Sequence, residues 1–424
     1  VLYGNNSSAG SVNIITNQSI KDKEEINTKF SLGSFGKFES YVSGTKVFKN
    51  FSIKGSQNQI FSDGYRRNNE YSQTNGGLEL ASKFNQYSYY VNLQSYNNRL
   101  DLPGDVGVNT GNYSSSNGFH IDPRSTDTPQ DFSQKNGLKI FYGLTYEISH
   151  SDKVIVDGAF DYVKNEGIFL SSDTNTDAKI SNYLLSPRFL TNRNILGFES
   201  DVILGMDANY TYYYQDKMRI GETYYRKYKA QDKSLALYFN NNLFVSPEDK
   251  ISIGARIQAN WIRIGDQINS GAYAYSLGDN DTETYKDPQL SYHLGYERII
   301  NDNNIVTAKI GKSFRYPNVD ERIGFGYTSA VHNFGLNSQN SYDLDISHRF
   351  LTENIEFQTT IYYMRLRNEI SYDNSTFTNR NLAKTLRFGL ENRFSYDFSN
   401  KIKFINNFTL SQAKYRAGHR RNFD

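Results

Sequence analysis

Arginine and tyrosine clusters in two polar stretches are the residues of this chain best suited to binding a ligand. The clusters comprise Tyr65, Arg66, Arg67, Tyr224, Tyr225 and Arg226. A guanidinium group can hold a carboxylate or phosphate through paired hydrogen bonds, and an aromatic ring beside it offers a flat apolar surface. This combination predicts contact with an anionic chelate. The alternative interpretation is that the side chains only solvate a loop or bind lipid phosphates.

The remaining polar residues give no support for catalysis or metal binding. The chain has six histidines. They are His120, His150, His293, His332, His348 and His419. Their spacing is not that of metal ligands, and no glycine-rich loop precedes a helix to hold phosphates. Because no nucleophile with an acid–base partner can be assembled, we expect that the protein is not an enzyme and uses no cofactor or metal.

The elements that must position the two clusters are β-strands. Between Ile251 and Trp261 apolar residues occupy every second position and polar residues the positions between them. A period of two predicts a strand with one apolar and one polar face. The same alternation is found in the stretches that start near Ile26, Val306 and Ile355. Many such strands of about ten residues or more are typical of a barrel with lipid outside and water inside.

The composition favours the same fold. Hydrophobic residues make up 37% of the chain and charged residues 22%, which is a low apolar content for a soluble core. Yet 34 Tyr and 28 Phe argue against disorder. A transmembrane antiparallel β-barrel reconciles these facts, because half of each strand faces lipid and aromatic residues gather at the interfaces. The alternative is a soluble β-sandwich or propeller.

Charge and hydropathy exclude other classes of protein. The formal net charge is +2, too small for a nucleic-acid-binding domain. There is no cysteine. The sequence contains no run of 18 apolar residues, so no transmembrane helix is predicted. No signal peptide is visible in the sequence. On the strands, Trp261 and Tyr363 continue apolar stripes and are best interpreted as anchors at a membrane interface.

Turn-forming residues divide the chain into strands, and the short turns alternate with long polar stretches. Short connections lie at 49–50, 84–86, 149–152, 246–249, 301–304, 351–354 and 399–400. The segments between them predict about 17 strands, from near Glu24 to the stretch ending at Lys414. Because single-chain bacterial barrels have even strand numbers, we interpret the chain as cut short at both ends. About five strands would be missing from a parent barrel of about 22.

The first residues carry a pattern that differs from a barrel strand. Its characteristic positions are Leu2, Tyr3, Gly4, Gly10, Asn13 and Thr16. The pattern resembles the end of the plug domain in TonB-dependent receptors of the outer membrane. The resemblance implies that residues 1–16 end a plug, that 17–23 form a connector, and that 24–424 form a β-barrel truncated at its C-terminus.

Later motifs resemble the same family in the same order. They are Leu102-Pro103-Gly104, the segment from Ser313 to Glu321, and the stretch from Asn381 to Glu391. Within the second motif, the resemblance assigns Arg315, Pro317 and Glu321 to a structural role at a strand end. The functional interpretation is that Arg315 contacts the plug or a ligand. We favour the structural one, in which Arg315 braces the strand-to-loop corner and Pro317 ends the strand.

The resemblance also implies a function and a location. Members of the family take up scarce nutrients across the bacterial outer membrane, and the TonB protein of the inner-membrane complex supplies the energy. The expected ligand is a ferric siderophore or another iron complex, and outer-membrane lipid and lipopolysaccharide are expected partners. Binding of nucleic acid is not expected.

Two other functions remain open from the residues alone. A passive porin or fatty-acid channel would share the strands and would not need the plug-like pattern at Leu2 to Thr16. A surface adhesin or barrel-bound enzyme is the third possibility, and the enzyme would need a catalytic set at one rim. Residues upstream of Val1 would separate the receptor, which carries a plug, from the porin.

Overall fold

The strands of this chain form one curved antiparallel sheet. The structure is a computed structural model and describes residues 24–104, 124–126, 128–169, 174–219, 225–269, 282–323, 333–376, 378–399 and 401–417. Within these ranges it contains 17 strands and one short helix. Strands that are consecutive in sequence pair with each other, from the first strand to the last. Among these residues no register joins the last strand to the first.

The prediction of an all-β barrel wall of about 17 strands is confirmed. The strands are β1 (Glu25–Leu32), β2 (Phe38–Val47), β3 (Phe51–Ser62), β4 (Tyr71–Phe84), β5 (Tyr87–Asp101), β6 (Phe132–Glu147), β7 (Asp152–Phe169), β8 (Thr174–Ile195), β9 (Phe198–Arg219), β10 (Tyr225–Phe244), β11 (Asp249–Asn269), β12 (Thr282–Asn301), β13 (Asn304–Arg315), β14 (Gln339–Leu351), β15 (Ile355–Asp373), β16 (Thr378–Ser399) and β17 (Ile402–Ala417), and the helix is α1 (Val319–Arg322). In the part of the chain that the structure describes, no helix is long and apolar enough to cross a membrane.

The sheet has a short-turn end and a long-loop end, as the alternation of connections predicts. At the short-turn end the same serine–aspartate turn appears twice. The Ser149 hydroxyl accepts from the Asp152 amide at 3.1 Å and donates to Asp152 Oδ2 at 3.0 Å. Ser246 makes the same two bonds with Asp249, each at 3.0 Å. Side chains that hydrogen-bond to a backbone two or three residues away favour such tight turns over a continued strand.

The two faces of the sheet meet different surroundings. On β11, Ile253 and Ile257 are 43% and 58% exposed, and in the described part of the chain no second protein layer covers them. Between them in sequence, Arg256 is only 4% exposed because it faces inward. Apolar residues that point away from the protein in a regular stripe are what a lipid-facing wall requires. We therefore call the apolar side the outer face and the side of Arg256 the inner face.

On the inner face, tyrosine rings lie across glycines of the neighbouring strand. Tyr90 is directly opposite Gly143, and Tyr96 is directly opposite Gly137. A Cβ atom added to Gly143 would lie 2.2 Å from the ring of Tyr90 and 2.6 Å from Asp157 Oδ1. Since such contacts do not occur in real structures, glycine is required here. Aromatic rings that cover glycines in this way help to fix strand register.

Replacing Gly143 with alanine is expected to lower the free energy of unfolding by about 1–3 kcal/mol, because the ring of Tyr90 must leave its position. The matched control is Gly55→Ala, since a Cβ at Gly55 meets nothing within 4 Å. Urea unfolding in detergent micelles would measure both variants. An equal loss in the two variants would show that steric contact with Tyr90 is not the cause.

The wall is uneven in height. Strands β8 to β12 have 20–22 residues, whereas β13 has 12 and β14 has 13. The ladder between β12 and β13 ends at Tyr292–Lys312, so the long-loop half of β12 has no partner in β13. Pro288 lies in that half, where its missing backbone N–H breaks no ladder bond with β13. The connection between β13 and β14 occupies this notch.

Candidate functional site

The connection between β13 and β14 folds against the inner face near the long-loop end. We call its described residues, 316–323 and 333–338, the inner segment. It contributes to the hydrophobic cluster formed by Tyr213, Tyr228, Ala230, Ile262, Ile264, Val319, Ile323 and Phe334. The wall residues of this cluster come from β9, β10 and β11. Burial of these apolar side chains holds the inner segment in place.

The sequence contains a signal for this cluster that the sequence analysis missed. On the polar face of β11, the alternating positions are polar up to Asn260, but the next two are Ile262 and Ile264. These two side chains are 1% and 0% exposed. An apolar residue on the inner face needs protein to cover it, because the lumen of such a barrel holds water. The change of polarity after Asn260 marks where the inner segment lies.

The inner segment begins at a corner held by Arg315 and Glu321. Arg315 Nη1 lies 2.8 and 2.7 Å from the two carboxylate oxygens of Glu321. Glu321 also accepts the backbone N–H of Asn318 at 3.0 Å, and the Asn318 side chain accepts the backbone N–H of Glu321 at 2.7 Å. These reciprocal bonds form a capping box at the start of α1. Arg315 therefore braces the corner through Glu321, and Pro317 is buried at the same turn.

Glu321→Ala is expected to destabilise this corner by about 0.5–2 kcal/mol, because the capping bond and the salt bridge are both lost. Glu321→Gln keeps a side chain that can cap Asn318 and removes the charge, so it should cost less. Limited proteolysis near α1 would compare the variants. If the glutamine variant were cut as fast as the alanine variant, the ion pair and not the cap would be the main contribution.

Arg322 is buried at the centre of the inner segment. It is 3% exposed, and its Nη1 donates to the carbonyl oxygens of Phe334 and, at 3.1 Å, of Leu336. Its guanidinium carbon lies 5.8 Å from the centre of the Tyr285 ring. Burial lowers the pKa of Arg322, and the negative charges of Asp232 and Asp287 oppose that shift. The cation thus joins the two halves of the inner segment to each other and to β12.

Polar anchors tie the inner segment to the wall. The Tyr213 hydroxyl donates to Asp320 Oδ1 at 2.7 Å. The Tyr316 hydroxyl lies 3.0 Å from the carbonyl oxygens of Gln258 and Asp287, and burial raises the pKa of this phenol. Further bonds come from the side of β16. Asn379 Nδ2 donates to the Glu321 carbonyl oxygen at 3.0 Å, and Asn381 Nδ2 donates to the Asn337 carbonyl oxygen at 3.0 Å. On the side of β12, the Ser338 hydroxyl donates to Asp287 Oδ2. The inner segment is therefore bound on two sides of the lumen.

A buried ion pair lies beside the same cluster. Arg226 Nη2 is 2.8 Å from Asp266 Oδ2, and the two side chains are 2% and 1% exposed. The guanidinium carbon lies 4.9 Å from the centre of the Tyr228 ring. Arg226 was predicted to belong to a ligand-binding cluster, and the structure places its guanidinium on the inner face, buried against Asp266 of β11. Ligand contact by Arg226 stays a prediction.

The other arginine cluster lies in the loop between β3 and β4. Arg66 donates to the carbonyl oxygens of Pro103, Gly104 and Ser125 at 2.6–3.1 Å. It therefore fastens the β5–β6 connection, which contains the Leu102-Pro103-Gly104 motif. Tyr65 is 45% exposed and packs edge-on to Phe35, with Arg124 5.5 Å from its ring centre.

Several predicted residues lie outside the described ranges. They are Leu2, Tyr3, Gly4, Gly10, Asn13, Thr16 and Tyr224. The plug end at 1–16 and the connector at 17–23 lie there too, and the side chain of Tyr225 is likewise not described. In the described part of the chain, no group of three or more His, Cys, Asp or Glu residues is placed to hold a metal ion.

The sequence matches one family model over most of its length. Residues 52–423 match the model described as TonB dependent receptor-like, beta-barrel. The chain belongs to this family. No protein of curated function matches the sequence significantly. The resemblance found in the internal motifs is thereby confirmed, and these motifs lie within the matched residues.

Solved structures share the receptor fold at low sequence identity. The siderophore receptor PiuA from Acinetobacter baumannii has a TM-score of 0.78 and 10% identity, with 97% of this chain and 66% of that chain covered. The ferric yersiniabactin uptake receptor FyuA from Yersinia pestis has a TM-score of 0.77 and 13% identity, with 96% of this chain and 63% of that chain covered. The ferric-catecholate import receptor Fiu from E. coli K12 has a TM-score of 0.76 and 12% identity, with 96% of this chain and 67% of that chain covered. The chain thus spans about two thirds of the length of these receptors.

Within this TonB-dependent receptor barrel, the inner segment is held in place by several kinds of contact. It combines a hydrophobic cluster, a capped helix and a buried arginine at the long-loop end. None of these groups forms a nucleophile with an acid–base partner. These contacts hold the inner segment against the inner face of β9 to β12.

Proposed function

We propose that the chain forms most of the wall of a bacterial outer-membrane receptor that takes up a scarce nutrient with energy supplied through the TonB protein. The family match over residues 52–423 carries the proposal. A ferric siderophore or another iron complex is the proposed ligand. Support comes from the receptors of similar fold, several of which are described as siderophore or ferric-complex receptors.

Physical reasons make a plug and an energy source part of this proposal. A barrel of about 22 strands encloses a lumen wide enough to pass solutes unless something fills it. We propose that residues 1–16 end such a plug and that 17–23 connect it to β1. A scarce nutrient requires tight binding, and release from a tight site requires energy from elsewhere.

We propose that the ligand first meets the long-loop end near Tyr65 and Arg67. Both side chains are exposed there, and Arg124 adds a further guanidinium beside the Tyr65 ring. Arg66 acts through its bonds to the β5–β6 connection and so positions this surface. Of the second predicted cluster, Tyr224 and Tyr225 would contribute from the end of the β9–β10 connection and the start of β10, whereas Arg226 is buried in its pair with Asp266.

A growth experiment tests the proposal. A strain that lacks the gene is grown on a panel of ferric chelates, cobalamin and glycans as sole sources of the nutrient. We expect a loss of growth on one class of iron complex, restored by the gene and not restored when TonB is also absent. Lost growth on cobalamin or a glycan alone would overturn the proposed ligand. Restoration without TonB would favour the passive channel.

A further inference from the structure

The two ends of the β5–β6 connection come together beside the β3–β4 loop. We call the described residues of these ends the neck: 102–104 on the outgoing arm, 124–126 and 128–131 on the return arm. The Leu102 amide donates to the Asp131 carbonyl oxygen at 2.8 Å. The Thr126 and Thr128 hydroxyls donate to the carbonyl oxygens of Pro103 and Leu102, at 2.8 and 2.6 Å. These bonds join the two arms from within the connection itself.

Asn68 of the β3–β4 loop enters the neck from outside and binds both arms. Its Nδ2 lies 2.9 Å from the Leu102 carbonyl oxygen on the outgoing arm. The same nitrogen lies 2.6 and 2.9 Å from the carbonyl oxygens of Thr128 and Asp131 on the return arm. Thr128 and Asp131 are buried, and buried carbonyl groups outside a sheet need a donor from another part of the chain. A single amide group thus holds the two arms together.

The backbone of Asn68 is in a conformation that few residue types adopt. Its φ angle is +53°, in the left-handed region. Asparagine tolerates this region better than most residues, and a non-glycine residue held there points to a functional constraint. Aspartate tolerates the same backbone, but an ionised carboxylate cannot donate a hydrogen bond. Position 68 therefore requires both the backbone tolerance and the donor of asparagine.

Arg66 does not duplicate the role of Asn68. Arg66 binds the carbonyl oxygens of Pro103, Gly104 and Ser125, whereas Asn68 binds those of Leu102, Thr128 and Asp131. The two sets have no carbonyl group in common. Loss of the Asn68 amide would therefore leave its three acceptors without that donor, even with Arg66 in place.

The return arm of the neck begins at Arg124, which lies beside the proposed ligand surface. The Arg67 amide donates to the Arg124 carbonyl oxygen at 2.9 Å. The Arg124 guanidinium carbon lies 5.5 Å from the centre of the Tyr65 ring. Arg124 and Arg67 are both exposed. Because Arg124 belongs to the β5–β6 connection and Tyr65 to the β3–β4 loop, their contact depends on the neck being closed.

We propose that Asn68 is a positioning residue for ligand capture. By closing the neck it sets Arg124 beside Tyr65 and Arg67, so that the two loops present one composite surface. Asn68 acts through Arg124 and makes no contact with the ligand itself. A chelate held by both guanidinium groups loses one charge-assisted contact when the neck opens. The proposal rests on the proposed function and deepens it, because it names the residue that assembles the ligand surface.

Hydrogen exchange tests the neck without any ligand. Asn68→Asp keeps the size and the backbone tolerance of the side chain but turns a carboxylate towards three carbonyl oxygens. In the full-length protein in detergent micelles, exchange at the Leu102 and Arg67 amides should accelerate by at least about tenfold. The matched control is Asn85→Asp, since Asn85 has a φ angle of +52° and is exposed in the short β4–β5 turn. Unchanged exchange in Asn68→Asp, or equal acceleration in both variants, would overturn the proposal.

Uptake kinetics test the consequence for ligand capture. The probes are radioactive iron complexes of citrate, of a tris-catecholate and of a trihydroxamate. For the complex that the parent transports, Asn68→Asp should raise the half-saturating concentration by at least about tenfold and leave the maximal rate per folded receptor within about twofold. A lower maximal rate with an unchanged half-saturating concentration would contradict a positioning role. Should the aspartate variant not fold, Asn68→Gly removes the amide without adding a charge and should shift the same two readouts in the same direction.

A double-mutant cycle identifies the residue through which Asn68 acts. Arg124→Gln should itself raise the half-saturating concentration. The combined variant Asn68→Asp/Arg124→Gln should show no more than the larger single effect, because both changes remove the same contact. Additive effects would overturn the link to Arg124. If the parent takes up none of the three complexes, the proposed ligand fails and the role in capture fails with it, whereas hydrogen exchange separately decides whether Asn68 closes the neck.

Discussion

Replacing Arg226 with methionine is expected to lower the free energy of unfolding by about 3–5 kcal/mol, because Asp266 is left as a buried carboxylate without its cation. The two side chains are 2% and 1% exposed, so water does not reach the Asp266 carboxylate to replace the lost partner. Equilibrium urea unfolding in detergent micelles, followed by the loss of heat-modifiable migration on gels, would measure the change.

Two further variants identify the cause of that loss. The double variant Arg226→Met/Asp266→Leu removes both charges of the pair, and it should recover most of the lost stability because the Asp266 carboxylate is no longer buried without Arg226. Lys250→Met is the matched control, since Lys250 and Glu297 pair at 2.6 Å with side chains 33% and 36% exposed. A partly exposed pair of this kind contributes less than about 1 kcal/mol. If Arg226→Met lowered the free energy of unfolding no more than Lys250→Met does, burial would not explain the contribution of the Arg226–Asp266 pair.

Much of the fold could be predicted from the sequence because lipid and water impose a period of two on every strand. The stripe from Ile251 to Trp261 shows this, and Ile253 and Ile257 are exposed on the outer face as expected. Turn chemistry is equally local, so the short turns at Ser149 and Ser246 mark strand ends correctly. Fold and strand count follow from interactions between residues close in sequence.

The candidate site could not be predicted in the same way, because its contacts join distant parts of the chain. Tyr213 and Asp320 are 107 residues apart, and the sequence around either residue does not reveal the other. Arg66 is a similar case: its composition suggests a solvent-exposed cation, but Ser125, 59 residues away, accepts two of its hydrogen bonds. The polarity change at Ile262 indicates that something covers the inner face without indicating which segment does so.

Phe334→Ala is expected to loosen the inner segment without unfolding the barrel. Phe334 is 2% exposed in the hydrophobic cluster, and removing a buried phenyl ring costs about 3–5 kcal/mol. The hydrogen-bonded ladders of β9 to β12 remain complete in this variant. The lost free energy therefore lowers the stability of the inner segment against local opening. The Ile323 amide donates to the Val319 carbonyl oxygen at 3.2 Å, and the Asn333 amide to the Arg322 carbonyl oxygen at 2.9 Å. Hydrogen exchange at these two amides should accelerate by about two orders of magnitude.

The matched control is Phe239→Ala on the outer face, where the ring is 36% exposed and touches no part of the inner segment. It should leave exchange at Ile323 and Asn333 unchanged. The competing explanation is that polar anchors alone hold the inner segment, through Asn379 and the Arg315 corner. In that case Phe334→Ala would change the exchange rate by less than about tenfold, because each neutral hydrogen bond contributes only about 1 kcal/mol and the anchors would all remain. A large change at Ile323 and Asn333 with the β9–β12 amides unaffected therefore assigns the stability of the inner segment to its hydrophobic cluster.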